Sequence, residues 1–347
     1  MNITAIGIDL AKTVFHIHAV DQRGNKVFSK KLKREQLAEF INQQPPCLIG
    51  MEACSGAHYW ATKFKSFGHD VRLIAPQFVK PYVQGNKNDW NDARAIAEAV
   101  TRPHMRFVPI KDVEQLAMQS MHRVRSQLVK QRTALANEIR GLLSEYGIVI
   151  QEGIAKLRAE LPFIIEDASN ALMSTIRTLC DDMREHLKEL DRKISHYDQQ
   201  IKVTAKSSKT CQKLMAIEGI GPQTATIIAA TVTDTKLFKN GRELAAWMGL
   251  VPSQHSSGGK NVLLGISKRG DRYIRCLLIH GARSALRSWK NKPRNTPRVI
   301  WALRKIEELG FNKACVALAN KMARTIWAVL DKDVPYQSDY QPQLTRG

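Results

Sequence analysis

Four carboxylates in the first hundred residues have the types and spacing for metal-assisted chemistry. Asp9 closes the apolar run Ile3-Thr-Ala-Ile-Gly-Ile8, and Glu52 closes Leu48-Ile-Gly-Met51. Asp89 and Asp92 lie three apart in Asn86-Lys-Asn-Asp-Trp-Asn-Asp-Ala-Arg94, where a helix is expected to begin. A spacing of three puts both on one helix face. Strand ends and a helix start are where a mixed sheet gathers side chains into one crevice. Carboxylates gathered there repel unless a cation neutralises them. Oxygen donors alone select magnesium or manganese. Two such ions about 4 Å apart activate a nucleophile and stabilise a leaving oxygen in phosphoryl transfer. Taken singly, Asp9 suits a turn, Glu52 a surface and Asp89 a helix cap. Their order on one mixed sheet, in a basic chain, favours a metal site.

The second half offers hydroxyls and cations. Leu214-Met-Ala-Ile-Glu-Gly-Ile-Gly-Pro-Gln-Thr-Ala-Thr226 has the form of a helix-hairpin-helix. Gly219 and Gly221 permit a tight turn whose N–H groups can face a phosphate. Such a turn grips nucleic-acid backbone without reading bases. Within Ser253-Gln-His-Ser-Ser-Gly-Gly-Lys260, the glycine-rich Ser256-Ser-Gly-Gly-Lys260 is expected to be a flexible loop between basic segments, able to present a hydroxyl to a phosphodiester. A serine becomes a nucleophile only when its proton is taken or its oxygen aligned. Residue chemistry does not choose among Ser253, Ser256 and Ser257, and His255 reads as a loop residue. Lys260, Lys268, Arg269, Arg272 and Arg275 read as phosphate contacts.

Charge supports that partner. The chain carries 53 Lys plus Arg against 32 Asp plus Glu, a net +21, which suits a polyanion. The excess concentrates in 205–347, and within 268–298 Asp271 is the one acid among ten basic residues. Counterion release rewards DNA and RNA alike. No apolar run approaches the ~20 residues that span a bilayer, so no membrane role is expected. The N-terminus lacks the basic start of a signal peptide. Six cysteines without a Cys-x-x-Cys pair read as reduced packing residues of a cytoplasmic, nucleoid-associated protein.

Elements to position these groups follow from periodicity. Residues 3–8, 14–20, 26–31, 47–52 and 71–75 read as strands, with helices over 34–43, 57–67 and 89–101. Met183, Leu187, Leu190, Ile194, Tyr197 and Ile201 step 4-3-4-3-4, a heptad seam. Val113 to Tyr146 has a similar apolar stripe. The two long helices are expected to pair within the chain or across a homo-oligomer, a dimer or tetramer. From 210 the reading is mostly helical, and the tail after Val334 is expected to be loose. Three domains result: an acidic domain over 1–106, a helical coiled-coil region over 107–207 and a C-terminal domain over 208–347.

Gly7-Ile-Asp-Leu-Ala-Lys12, Met51-Glu-Ala-Cys-Ser-Gly56 and Asn86-Lys-Asn-Asp-Trp-Asn-Asp-Ala93 resemble the Asp-Glu-Asp-Asp blocks of the insertion-sequence 110/1111 transposases, relatives of the Piv invertase. The resemblance spans nearly the whole chain. It implies an α/β RuvC-like ribonuclease-H-fold domain, then long coiled-coil helices and a mostly α-helical C-terminal domain. It implies metal ligation by Asp9, Glu52, Asp89 and Asp92. The family's Gly-Leu-x-Pro-x4-Ser-Gly pattern matches Gly249-Leu-Val-Pro252 with Ser257-Gly258 at the required offset. Ser257 is thereby the implied nucleophile, forming a covalent serine–DNA linkage, and Lys268 and Arg269 match the family's basic segment. The resemblance also implies a structured guide RNA encoded by the element. Three other readings bear on the same residues. A junction nuclease would use the acids alone. An actin-like ATPase or sugar kinase shares the first loop but needs later phosphate loops that the second half lacks. A non-enzymatic nucleic-acid binder would not need four intact acids.

Overall fold

The period-2 runs of the first half pair into one sheet. The computed structural model describes residues 2–85, 88–257, 260–292 and 295–338, and no side chains over 256–261. The chain divides into two compact units, Met1–Val113 and Glu114–Gly347. The first holds β1 (Ala5–Asp9), β2 (Val14–Val20), β3 (Lys26–Lys33), α1 (Arg34–Asn42), β4 (Leu48–Glu52), α2 (Ala57–Ser66), β5 (Asp70–Ile74), α3 (Pro76–Val79), α4 (Asp89–Val100) and β6 (Phe107–Val108). The sheet order is β3-β2-β1-β4-β5-β6. β1, β4 and β5 run parallel, while β2, β3 and β6 are antiparallel to their neighbours.

Side-chain alternation splits this sheet into two working faces. Ile6, Ile8, Phe15, Ile17, Ile49 and Met51 meet Leu37 and Ile41 of α1 and Trp60 and Phe64 of α2. The other face carries Ala5, Gly7 and Asp9 on β1 and Leu48, Gly50 and Glu52 on β4, and α4 lies across it. Gly7 and Gly50 sit side by side in register. A Cβ on Gly7 would fall 2.2 Å from the Ala93 carbonyl oxygen, and one on Gly50 would fall 2.7 Å from the Val100 Cβ. Two strand glycines thus form a trough, and the small buried residues Ala93 and Ala97 let the helix backbone settle into it.

The second unit holds α5 (Val113–Ser144, beginning one residue before it), α6 (Ile154–Glu166), α7 (Ser174–Ser207), α8 (Lys209–Met215), α9 (Pro222–Thr231), α10 (Gly241–Trp247), β7 (Pro252–Ser257), β8 (Lys260–Ile266), α11 (Arg272–Asn291), α12 (Pro297–Leu309) and α13 (Phe311–Asp331). α5 and α7 pair antiparallel inside the chain. Arg125 binds Asp198 at 2.6 Å, and Arg132 binds Asp191 at 3.1 Å. Leu135, Ile139 and Leu143 share a core with Leu187, Leu190 and, from α6, Leu157 and Leu161. The remaining helices bury Leu214, Ile228, Leu244, Ile274, Leu278, Leu318 and Met322 in another core.

Two expectations are corrected here. Ser256, Ser257 and Lys260 lie on paired strands rather than in an open loop, with β7 antiparallel to β8 and Ser257 opposite Lys260, while Gly258 and Gly259 lie outside the described residues. A two-residue Gly-Gly connection between extended runs is a hairpin signal. The helical surroundings masked it. The start of the tail is held at Tyr336, while residues 339–347 lie outside the described residues. Tyr336 is half-buried, and its hydroxyl donates to Glu218 at 2.7 Å while accepting from Arg298 at 2.8 Å.

A buried polar network fastens α5 to α9 and α11. His122, 1% exposed, contacts the Thr226 hydroxyl at 2.9 Å and the Tyr273 hydroxyl at 3.0 Å. The Thr226 hydroxyl donates to the Pro222 carbonyl at 2.8 Å, so it accepts from His122 Nε2–H. Nδ1 is left to accept from Tyr273. Neutral imidazole is what this network needs, and burial, with the Arg125 charge adding to it, pushes the His122 pKa down to about 4. In the unfolded chain the group titrates near its ordinary value of about 6.5. The depressed folded value means that stability is complete above pH ~6.5 and is lost as pH falls to about 4, by about 3 kcal/mol from this group. Urea unfolding at pH 7, 6, 5 and 4 should show that extra slope in the native protein and not in His122→Gln. Parallel curves would remove His122 as the cause.

Candidate functional site

Asp9, Asp89 and Asp92 come together at one end of the α4-covered face. Each offers a carboxylate oxygen within 4.8 Å of the others. Three local features place them. β1 ends at Asp9. Asn88 caps α4 by accepting from the Asn91 N–H at 2.8 Å, which leaves Asp89 and Asp92 in the first turn. Carboxylates are favoured there by the helix dipole. The Gly7–Gly50 trough then holds that turn beside the end of β1. Asp9 and Asp92 are half-buried and Asp89 is exposed.

Glu52 ends β4, the parallel neighbour of β1, and alternation turns it toward the same face. It does not join the trio at 4.8 Å. Its charge and that of Asp9 still meet at Cys54, whose thiol is pushed up by burial first and then by Glu52 and Asp9. The expected four-carboxylate cluster is therefore drawn as three close acids with a fourth on the adjoining strand end.

The sequence reading missed His16. It lies opposite Asp9 in the β1–β2 register, 6% exposed. Its Nδ1 is 3.5 Å from an Asp89 carboxylate oxygen and makes no hydrogen bond, and its ring meets Trp90 edge-on at 4.6 Å. The signal was present: Val14-Phe-His-Ile-His alternates, and polar residues on a buried strand need a reason. The donor set suits a hard divalent cation, since three carboxylates at one point are mutually repulsive without one. A buried imidazole nitrogen near Asp89 but without a hydrogen bond fits a site completed by a further charged or polar group.

In the second unit the Gly249-Leu-Val-Pro252 and Gly265–Arg272 segments interlock. The Ser267 N–H donates to the Val251 carbonyl at 2.8 Å, and the Lys268 N–H donates to Gly249 at 3.2 Å. Gly249 and Gly270 both have positive φ, and a Cβ on Gly270 would fall 1.9 Å from the Trp247 carbonyl oxygen. Only glycine fits such a position. Lys268, itself at φ 55°, and Arg269 and Arg272 face solvent. Arg275 does not. It is 7% exposed, and its guanidinium donates to the Met248 and Arg269 carbonyls at 3.1 Å each. The expected phosphate contact at Arg275 is thus replaced by an internal tie, because the turn's carbonyls need a donor. Ser257 and Lys260 close the hairpin on the backbone, while their side chains lie outside the described residues.

Gly219 takes φ +88° in the α8–α9 turn, 2.7 Å by its missing Cβ from the Gly281 carbonyl oxygen on α11. Gly221 precedes α9 without a side-chain cap. The turn lines a cleft of about 550 Å³ with Lys202, Gln223, His280 and Ser284. Among the described residues, no helix is long and apolar enough to cross a membrane.

Comparison with known proteins bears on both units. Residues 6–148 match a family model described as a transposase, and residues 211–296 match the model "Transposase IS116/IS110/IS902 family". A probable family 20 transposase of Pseudomonas aeruginosa is 48% identical over 97% of this chain and 99% of its own length. This chain belongs to that transposase family. The transposase for insertion sequence element IS1111A of Coxiella burnetii is 44% identical, covering 97% of this chain and 92% of its own. That for IS1328 of Yersinia enterocolitica is 39% identical over 94% and 97%. The matched regions of this transposase take in the acid trio, β1 to β6 and the interlocked Gly249–Arg272 segments. Membership makes it a protein that cuts and joins DNA in the movement of an insertion element, and the matched acidic family model suggests use of a divalent metal.

Proposed function

We propose that the transposase cuts and rejoins DNA with two separate sets of residues. Asp9, Asp89 and Asp92, joined by Glu52, hold magnesium or manganese in a ribonuclease-H-like, RuvC-like domain. Ser257 is the nucleophile. The convergence of three carboxylates within 4.8 Å carries the reading. A central parallel trio of strands, flanked by an antiparallel β2–β3 pair, supports the domain assignment. When bound by these carboxylates, a divalent metal would supply Lewis-acid stabilisation of charge on phosphate oxygens. For the cutting step, the Ser257 Oγ bonds to phosphorus and the sugar–oxygen bond to that phosphorus breaks. The departing sugar oxygen takes up a proton, and the serine proton passes to a base or to water. The phosphodiester is conserved as a serine ester, so rejoining needs no external energy. Rejoining is the reverse, a sugar hydroxyl bonding to phosphorus as the Ser257 Oγ leaves.

Lys260, Lys268, Arg269 and Arg272 are the proposed phosphate contacts of this domain, with the Gly219–Gly221 turn as a backbone grip of helix-hairpin-helix type. Solvent exposure of Lys268, Arg269 and Arg272 supports this. A structured guide RNA belongs to the same proposal, supported by the family resemblance and by a net charge of +21. The homo-oligomer loses its first support, because the α7 seam is used within the chain against α5 and α6.

Trapping on suicide DNA tests the serine. The full-length protein should yield a covalent adduct that mass spectrometry maps to Ser257, and Ser257→Ala should yield none. An adduct on Ser253, Ser256 or a tyrosine refutes the assignment. Cleavage without any adduct makes water the nucleophile at the acidic site.

A further inference from the structure

A second cluster of cations includes none of the proposed metal ligands, the proposed serine or the phosphate contacts named above. Arg298, at the start of α12, is 5% exposed. Its Nη1 donates to Tyr336 and lies 4.0 Å from Glu218. Its Nε and Nη2 are buried and have no hydrogen-bond partner among the described residues. Lys321 and Arg324 follow on α13, half-buried, and the Nε of Arg324 is also without a partner. Burial, then the nearby charges of Arg298 and Arg324, pull the Lys321 pKa down. Lys321 Nζ stands 4.3 Å from the centroid of the Trp301 ring.

This arrangement is unfavourable as it stands. Unpaired buried guanidinium donors forfeit their hydration with nothing in return. Arg298 also sits in the first turn of α12, at the positive end of the helix dipole, where a cation is disfavoured. Glu218 is the carboxylate that approaches it, and it faces the Nη1 side. The free Nε and Nη2 together form the side-on edge of the guanidinium fork, which matches two oxygens of one phosphate. An aromatic ring beside the cations adds a surface for a base.

We propose that Arg298, Lys321 and Arg324 form a binding site for one backbone phosphate of a nucleic-acid strand, with Trp301 at its rim. Arg298 supplies the two-pronged contact, and Lys321 and Arg324 supply the balancing charge. Tyr336 covers it: its ring lies 5.5 Å from the guanidinium and its hydroxyl occupies the Nη1 donor. Entry of a phosphate therefore requires the Tyr336 side chain to move aside. Nothing in this site depends on the metal ligands or on Ser257.

The test uses the full-length chain and two probes, inorganic phosphate and a twelve-residue oligothymidylate. Trp301 fluorescence, taken as the difference between the native protein and Trp301→Phe, reports locally. Both probes should change it, and phosphate should compete with the oligonucleotide. Lys321→Gln with Arg324→Gln, at half-buried positions that spare the buried Arg298, should weaken both probes at least about tenfold and flatten the salt dependence of oligonucleotide binding by about one to two units. Asp89→Asn should bind both as the native protein does, which separates this site from the cleavage reading. Unchanged affinities and slope in a double variant that melts like the native protein overturn the proposal. Phosphate binding with an oligonucleotide affinity indifferent to the double variant overturns the nucleic-acid assignment.

Discussion

Asp89→Asn should reduce DNA strand cleavage by at least about a thousandfold, several kcal/mol of lost metal-dependent stabilisation at 1.36 kcal/mol per tenfold. The substitution keeps the size of the side chain and removes one of three carboxylates that meet within 4.8 Å. Asp89 is exposed and stands in the first turn of α4, so the fold tolerates an amide there. Nucleic-acid binding should stay within about twofold, since one charge in a chain of net +21 shifts the electrostatic term little. Cleavage assays over a magnesium or manganese series, beside filter binding, check both halves. Cleavage at the native rate with saturating metal would detach Asp89 from the chemistry.

The acids were legible in the sequence because strand ends and helix starts announce themselves through periodicity. Asp9 follows an apolar run, and Asp89 and Asp92 follow a capping asparagine. Glu52 was legible as a strand end, though its distance from the other acids depends on side-chain direction that spacing does not fix. His16 was missed, since its role arises from the antiparallel register that sets it opposite Asp9. Arg275 was misjudged for a related reason. A basic run shows charge, while burial decides whether a guanidinium meets phosphate or, as here, two carbonyls of its own chain. The β7–β8 hairpin was hidden because strands of six and seven residues carry little periodic signal amid helices.

Gly7→Ala should destabilise the first unit by about 3 kcal/mol or more, the upper range for forcing a methyl into filled space. The added carbon would lie 2.2 Å from the Ala93 carbonyl oxygen and 2.3 Å from the Ala97 nitrogen, both helix backbone. No side chain can rotate away to relieve that contact. α4 must move off β1 and carry Asp89 and Asp92 from Asp9. Divalent-metal binding should weaken with stability, although residue 7 touches no metal ligand. Gly141→Ala is the matched control on α5, with open space around the new methyl. Calorimetry with a metal titration checks the pair. Equal melting temperatures for Gly7→Ala and the native protein would mean that α4 does not lie on the sheet as described.

Fastening α5 at one end gives the second unit the mechanics of a lever. From His122 to Leu143 the helix rises about 30 Å at 1.5 Å per residue. At the outer end, Arg177 ties the chain by donating to the Ile165 carbonyl at 2.7 Å and to Asn170. Paired with α7 along its length, the arm is stiffer than a lone helix, and α7 is held at the same end, where Gln223 donates to Asp198 at 2.7 Å. A tilt of a few degrees at the His122–Thr226–Tyr273 pivot therefore sweeps the tip through a few ångströms. Tyr273 is the second residue of α11, three positions after Gly270 in the interlocked turn. A load at the tip of an arm fastened in this way would bear on the turn that carries Lys268 and Arg269.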